Sequence, residues 1–171
     1  MILVIDAGNT NTVIGVVNDG VVVKEFRLET RRNRTSDEYL AIIEALARRS
    51  AVDISGAADV VISSVVPPAT EALTTVAMEL TGRKPLVIDQ SLDLGIRNRY
   101  HRPEEVGADR LVNAAYAFHR WGPCIVVDLG TATTLDIVDA AGNYLGGSIL
   151  PGISISMEAL YQHASRLPRV G

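Results

Sequence analysis

The chain has 171 residues, 47% of them hydrophobic and 21% charged, which is the composition of an ordinary globular protein and not of a disordered one. Sixteen Lys and Arg against twenty Asp and Glu give a formal charge of −4, and aromatic residues make up 5%, so charge and stacking both argue against a nucleic-acid partner. A single cysteine, Cys124, excludes a disulfide scaffold. No apolar run reaches the ~18 residues of a membrane span, and the N-terminus lacks the basic start of a signal peptide. A cytoplasmic protein with no membrane partner is expected.

Residues 2–5 are apolar and predict a buried strand that ends at Asp6. Residues 12–17 and 21–28 predict two further strands joined by a turn at Gly20. Thr35-x-x-Glu38 is a capping box, and behind it Tyr39, Ile42, Ile43 and Leu46 share one helical face. Residues 60–64 predict a strand. Pro67-Pro68 opens a second helix, with Leu73, Val76, Ala77 and Leu80 on one side and Gly82 at its end. Residues 85–88 predict another strand. From Pro103 a helix is predicted through Gly107 to about His119, with Leu111, Ala115 and Phe118 in helical register. Cys124 then begins a strand expected to be buried, its thiol an inert core group. Strands at 133–138 and 144–150 and a helix at 154–164 follow, before the tail Leu167-Pro168-Arg169-Val170-Gly171.

The chain repeats itself. Residues 6–20, DAGNTNTVIGVVNDG, align without gaps on residues 128–142, DLGTATTLDIVDAAG. Asp6 matches Asp128, Gly8 matches Gly130, Thr12 matches Thr134, Val16 matches Val138 and Gly20 matches Gly142. Each copy follows an apolar run and continues as strand, glycine turn and strand, which points to a duplicated α/β fold. The expected organisation is one domain over 1–101, followed over 102–171 by a linker helix and the first part of a second domain. That second domain is expected to be truncated, because a three-stranded meander with one helix leaves much of its apolar face uncovered.

Four motifs bear on chemistry. Asp6-Ala7-Gly8-Asn9-Thr10-Asn11-Thr12 is a polar turn at a strand end. Gly8 admits close backbone approach or a positive φ, Asn9, Thr10, Asn11 and Thr12 offer donors beside successive backbone N–H groups, and such a concavity suits phosphate. Asp6 suits a Mg²⁺ that travels with phosphates. A plain polar hairpin is the alternative for this loop taken alone. Asp128-Leu129-Gly130-Thr131-Ala132-Thr133-Thr134 repeats the logic, and two related loops facing one cleft would grip a polyphosphate. Gly107-Ala108-Asp109-Arg110 is either a surface ion pair or a carboxylate able to take a hydroxyl proton beside an arginine able to hold a carboxylate or phosphate. Gly146-Gly147-Ser148-Ile149-Leu150-Pro151-Gly152 reads either as close backbone packing against chain or ligand, or as a strand exit with a Pro-Gly turn. Walker-type and dinucleotide-binding glycine motifs do not occur.

Taken together, Asp6-x-Gly-Asn-Thr-Asn-Thr, Gly107-Ala-Asp-Arg, Asp128-x-Gly-Thr-Ala-Thr-Thr and Gly146-Gly-x-Ile-x-Pro-Gly resemble the type III pantothenate kinases. These belong to the acetate kinase, sugar kinase, Hsp70 and actin superfamily. The resemblance runs along the whole chain. It implies a duplicated ribonuclease-H-like (actin-like ATPase) α/β fold and transfer of the ATP γ-phosphate to the hydroxyl of pantothenate, the first step of coenzyme A synthesis. It implies that Asp6, Ala7, Gly8, Asn9, Thr10, Asn11, Thr12 and Val13 form the ATP phosphate loop, with Asp6 near Mg²⁺ and Thr131 also touching ATP. It implies Asp109 as the base, and Tyr100, Gly107, Ala108, Asp109 and Arg110 as the pantothenate site. Tyr100 enters through the spacing Tyr-x-x-Pro-x-x-x-Gly-Ala-Asp-Arg. Asp128 would hold a monovalent cation, K⁺ or NH₄⁺, and the protein would be a homodimer whose substrate site borrows from the partner subunit. Family members continue for about another half domain, so this chain is expected to be a fragment with impaired activity. The alternative of a different class is a non-catalytic nucleotide-binding or regulatory module on the same fold, against which Asp109 argues.

Other polar residues carry less. His101, His119 and His163 have no ligand spacing to one another or to Cys124. Arg31, Arg32 and Arg34 read as a solvated loop before a helix, and Asp89, Asp93 and Asp139 have no motif around them.

Overall fold

The structure is a computed structural model that describes residues 1–163. The expected helix end at Ala164 and the tail 167–171 lie outside the described residues. The chain divides into two compact units: residues 1–92 with 107–109, and residues 93–106 with the chain from Arg110 onward.

The first unit is built on a five-stranded sheet of order β3-β2-β1-β4-β5. Strands β1 (Ile2–Ala7), β2 (Asn11–Asn18) and β3 (Val21–Glu29) form an antiparallel meander, and β4 (Asp59–Ser64) and β5 (Leu86–Val87) add on in parallel. The β2–β3 turn is made by Asp19 and Gly20, with φ of 48° and 78°. Both central residues are left-handed, the arrangement whose twist matches that of the flanking strands. Helix α1 (Ser36–Arg49) starts at the predicted capping box: the Thr35 N–H donates to Glu38 Oε2 at 2.9 Å and the Glu38 N–H donates to Thr35 Oγ1 at 3.3 Å. Helix α2 (Pro67–Thr81) ends on Gly82 at φ 68°, as its sequence requires. Tyr39, Ile43 and Ala47 of α1 and Ala69, Leu73, Val76 and Ala77 of α2 are buried with Leu3, Ile5, Ile14, Val16, Val60 and Ile62 in one continuous core.

The second unit holds a four-stranded sheet of order β6-β9-β8-β7. Here β7 (Cys124–Leu129), β8 (Ala132–Val138) and β9 (Asn143–Pro151) repeat the antiparallel meander. The short strand β6 (Arg97–Asn98), which the sequence reading missed, pairs in parallel with β9. Two residues carry no periodicity, so only the ladder identifies it. Helix α3 (Ala108–Trp121) precedes the meander and α4 (Ile153–His163) follows it. Val106, Leu111, Ala114, Val138 and Tyr144 make a small core, with Tyr100, Phe118 and Cys124 packed against it.

Three expectations change. The helix predicted from Pro103 is two elements: a 3-10 turn at Pro103–Glu105, then an extended, buried Val106, then α3 from Ala108. Gly107 falls in the break, where glycine's low helix propensity favours interruption. Strand β7 is an exposed edge and not a buried strand, with Ile125, Val127 and Leu129 each more than half exposed and Cys124 half-buried. An apolar run marks a strand but cannot say which of its faces is covered. Finally, the gapless alignment of the repeat slips. Asp6 pairs with Val13 across the first hairpin, whereas Asp128 pairs with Thr134 across the second, so the second loop is one residue shorter. Thr12 therefore corresponds in space to Thr133, and Val16 to Ile137, while Asp6/Asp128, Gly8/Gly130 and Gly20/Gly142 stay equivalent.

Candidate active site

In the first unit the predicted phosphate loop lies at the carboxyl end of β1, beside the carboxyl end of its parallel neighbour β4, where ligands of such sheets bind. Asp6 is exposed there, and so are Asn9, Thr10 and Asn11. The turn closes through the Gly8 N–H, which donates to the Asn11 carbonyl at 3.0 Å. Gly8 is not left-handed; its merit is room, because a Cβ there would lie 3.3 Å from that carbonyl oxygen. Thr12 departs from expectation. Its side chain is fully buried and its hydroxyl shares a 2.8 Å hydrogen bond with that of Thr30, so it braces the loop from the core side. Period-two alternation turns Thr12 inward once Asn11 faces out. Val13 sits half-buried on β2 opposite Asp6.

The Gly107-Ala108-Asp109 stretch packs at the same end of this sheet. The Val65 N–H donates to the Ala7 carbonyl at 3.1 Å, and a Cβ on Gly107 would lie 3.2 Å from Val65 Cγ1 and overlap Asp109 Oδ1. Glycine at 107 is what lets the Asp109 carboxylate fold back over its own backbone, next to the segment that ends the first loop. Asp109 and Ala108 are half-buried.

In the second unit Asp128 is exposed near the end of β7, and the Asn113 amide of α3 donates to its Oδ2 at 3.2 Å. The second loop is held by the last predicted motif: the Gly152 N–H donates to the Thr131 carbonyl at 3.1 Å, and a Cβ on Gly152 would overlap the Gly130 and Thr131 carbonyls. Thr131 itself is exposed. Gly146, at φ 99°, makes room for Tyr100, whose ring carbon Cδ2 would lie 2.7 Å from a Cβ placed there. The Tyr100 N–H donates to Asn98 Oδ1 at 3.1 Å. The glycines of this motif are thus explained by the protein's own backbone and by Tyr100.

Arg110 is half-buried and paired. Its Nε donates to Asp136 Oδ1 at 3.0 Å and Oδ2 at 3.2 Å, and its Nη2 donates to Oδ1 at 2.5 Å. The buried Tyr144 hydroxyl donates to the same Oδ1 at 2.5 Å. Asp136, Tyr144 and Asn113 escaped the motif reading. A single carboxylate between Leu135 and Ile137 in a strand was the available signal, because buried charges are almost always paired.

Some carboxylates of caps and turns are held below their usual range. The Thr35 backbone N–H lowers Glu38, the Ser55 and Ser91 hydroxyls lower Asp53 and Asp89, and the Asn143 side chain lowers Asp139. These are cap and turn interactions. Arg31 and Arg34 are engaged locally, Arg31 with the Glu29 carboxylate at 2.9 Å and Arg34 with the Glu29 carbonyl at 3.0 Å. Among the described residues no three His, Cys, Asp or Glu converge as a metal cage.

A family model described as type III pantothenate kinase matches residues 2–171. The chain belongs to the type III pantothenate kinase family. A type III pantothenate kinase of Syntrophotalea carbinolica is 46% identical, over 99% of this chain and 67% of its own length. The chain thus spans about two thirds of the length of that kinase. Among solved structures, a Campylobacter jejuni protein described as a Baf family transcriptional activator superposes with a TM-score of 0.56 at 21% identity, over 96% of this chain and 61% of the other. A Sinorhizobium meliloti protein described as a 2-dehydro-3-deoxygalactonokinase superposes with a TM-score of 0.54 at 12% identity, over 96% and 58%. At these identities the two structures speak to the fold alone, a duplicated α/β fold.

Proposed function

We propose that this member of the pantothenate kinase family transfers the ATP γ-phosphate to the hydroxyl of pantothenate through the residues described above. The observation that carries the assignment of roles is the packing of Gly107 between Val65 and the Asp109 carboxylate, at the sheet end that bears the Asp6 loop. In the reaction the pantothenate hydroxyl oxygen bonds to the γ-phosphorus, the bond from that phosphorus to the β–γ bridging oxygen breaks, and ADP leaves. Asp109 accepts the hydroxyl proton, as alcohol phosphorylation requires. The backbone N–H groups and exposed side chains of Asn9, Thr10 and Asn11, with Thr131 from the second loop, hold the phosphates. Tyr100, Gly107, Ala108 and Arg110 line the acceptor site, Arg110 meeting the pantothenate carboxylate.

Two cations are implied by the family. One exposed carboxylate at Asp6 suits a Mg²⁺ that phosphates and water complete, since Mg²⁺ bound this way needs only one or two carboxylates. Asp128, oriented by Asn113, is the residue present for K⁺ or NH₄⁺. Such cations neutralise phosphate charge as it moves to the leaving group. A homodimer is part of this reading, as the family resemblance implies. A cytoplasmic location is consistent with a pantothenate acceptor, and no helix among the described residues is long and apolar enough to cross a membrane.

The test is direct. The full-length protein incubated with ATP, Mg²⁺, K⁺ and pantothenate should yield 4′-phosphopantothenate by mass spectrometry, and folded full-length protein that yields none overturns the reading. Asp109→Asn should lower kcat by about 10²- to 10⁴-fold while ATP affinity, read by calorimetry, stays the same. An unchanged kcat would remove Asp109 as the base.

A further inference from the structure

We infer that Asp136, backed by Tyr144, is a positioning residue for Arg110 in the acceptor site. The inference rests on the proposed role of Arg110 toward the pantothenate carboxylate. Asp136 is 2% exposed and projects from the middle of β8. It engages the Nε–Nη2 edge of the guanidinium, and the Tyr144 hydroxyl, itself fully buried, ties the same carboxylate oxygen from the other strand of the hairpin. Guanidinium is a rigid planar fork. With one edge held by a carboxylate that cannot turn, the orientation of the whole guanidinium plane is set.

Stability does not call for this arrangement. A buried ion pair recovers little beyond its desolvation cost, and well-packed apolar groups do as well or better. The first unit makes the point, since the residue corresponding to Asp136 on β2 is Gly15, which carries no charge and packs against Val4. What the pair supplies is direction. A flexible arginine would have to be ordered by the substrate at each binding event, and a pre-set one avoids that cost.

The role of Asp136 is to act through Arg110, so a double-variant cycle tests it. Pantothenate KM, ATP KM, kcat and thermal unfolding are measured for the wild type, Asp136→Asn, Arg110→Gln and the double variant. Asp136→Asn should raise pantothenate KM by about tenfold, with kcat within about twofold and ATP KM unchanged. The double variant should show the pantothenate KM of Arg110→Gln alone. An additive rise in the double variant, or a loss confined to kcat, overturns the inference. Tyr144→Phe keeps the ring in the core and removes only the hydroxyl bond, so it decides the matter if Asp136→Asn does not fold. A pantothenate KM raised about threefold with ATP KM unchanged supports the role, and unchanged constants refute it. Wild-type protein that does not phosphorylate pantothenate at all refutes the functional reading itself, a result distinct from either.

Discussion

The two meanders are the same chassis finished in different ways. In the first, Gly15 lies across from Val4, and a Cβ at Gly15 would come 2.8 Å from Val4 Cγ2. Val22 lies on the neighbouring strand, 3.9 Å from that same point. In the second, the corresponding positions are Asp136, Val126 and Tyr144. The glycine has become a carboxylate, and the valine has become a tyrosine whose hydroxyl bonds to it. The loops differ likewise. Thr12 is sealed in the core against Thr30, while the second hairpin gains its support from outside, through Gly152 against Thr131. One copy spends its inner positions on packing. The other, with a small core and an exposed edge strand, uses them to fix polar side chains.

The largest effect that would break this contrast is loss of the carboxylate at 136. Asp136→Ala strands the half-buried Arg110 and should cost about 3 kcal/mol, at the low end of the usual range because Arg110 retains some contact with water. Urea unfolding reads it, and a cost under about 1 kcal/mol would make the pair equivalent to a surface bridge. Next is Gly107→Ala. The added methyl overlaps the Asp109 carboxylate, and displacing the proposed base by about 1 Å should lower kcat by about 10²-fold. Steady-state kinetics with unchanged ATP KM would show it, and normal kcat would mean that Asp109 takes its place without help from Gly107.

Gly15→Ala forces a methyl against Val4 on the sheet face away from the core and should destabilise by about 1 kcal/mol, without altering pantothenate KM. A changed KM would mean that the first meander also serves the acceptor. Thr12→Val should cost about 1 kcal/mol through its hydroxyl bond and leave ATP KM alone, whereas Thr131→Val should raise ATP KM with little effect on unfolding. The opposite pattern would return Thr12 to the ligand.

The smallest effect lies at the α1 cap, which is far from either loop in function. Thr35→Ala should cost about 1 kcal/mol in the same unfolding assay. The cap also has a pH signature. Glu38 is held below its ordinary value, first by the Thr35 backbone N–H, so its contribution is present above the ordinary carboxylate range and is lost as pH falls through the lowered value. Glu38→Gln should flatten that acid limb slightly, and an unchanged limb would show that the cap does not discriminate the ionised form.

Much of this was legible in the chain itself. The order βββαβαβ of the first unit, both of its helices, the capping box and the glycine stop at Gly82 follow from period, propensity and turn chemistry, which are local. Motif spacing likewise sufficed to pick out the family. Local rules did not reach the two-residue β6, or the break at Gly107 inside an apparently continuous helical pattern. Nor could they tell that Ile125, Val127 and Leu129 face outward, because an apolar run looks the same whether or not a second layer covers it.

The sequence by itself determined most of the elements and the duplication, since each is written in residues close along the chain. Only the tertiary structure decided which of those residues point where. A one-residue difference in loop length moves β8 against β7, and with a side-chain period of two such a shift exchanges the faces of a strand. That is why Val16 corresponds in space to Ile137 and not to Val138, and only the packed sheet shows Asp136, unremarkable in the sequence, against Arg110. Partners 26 positions apart meet only when the sheet and α3 have packed.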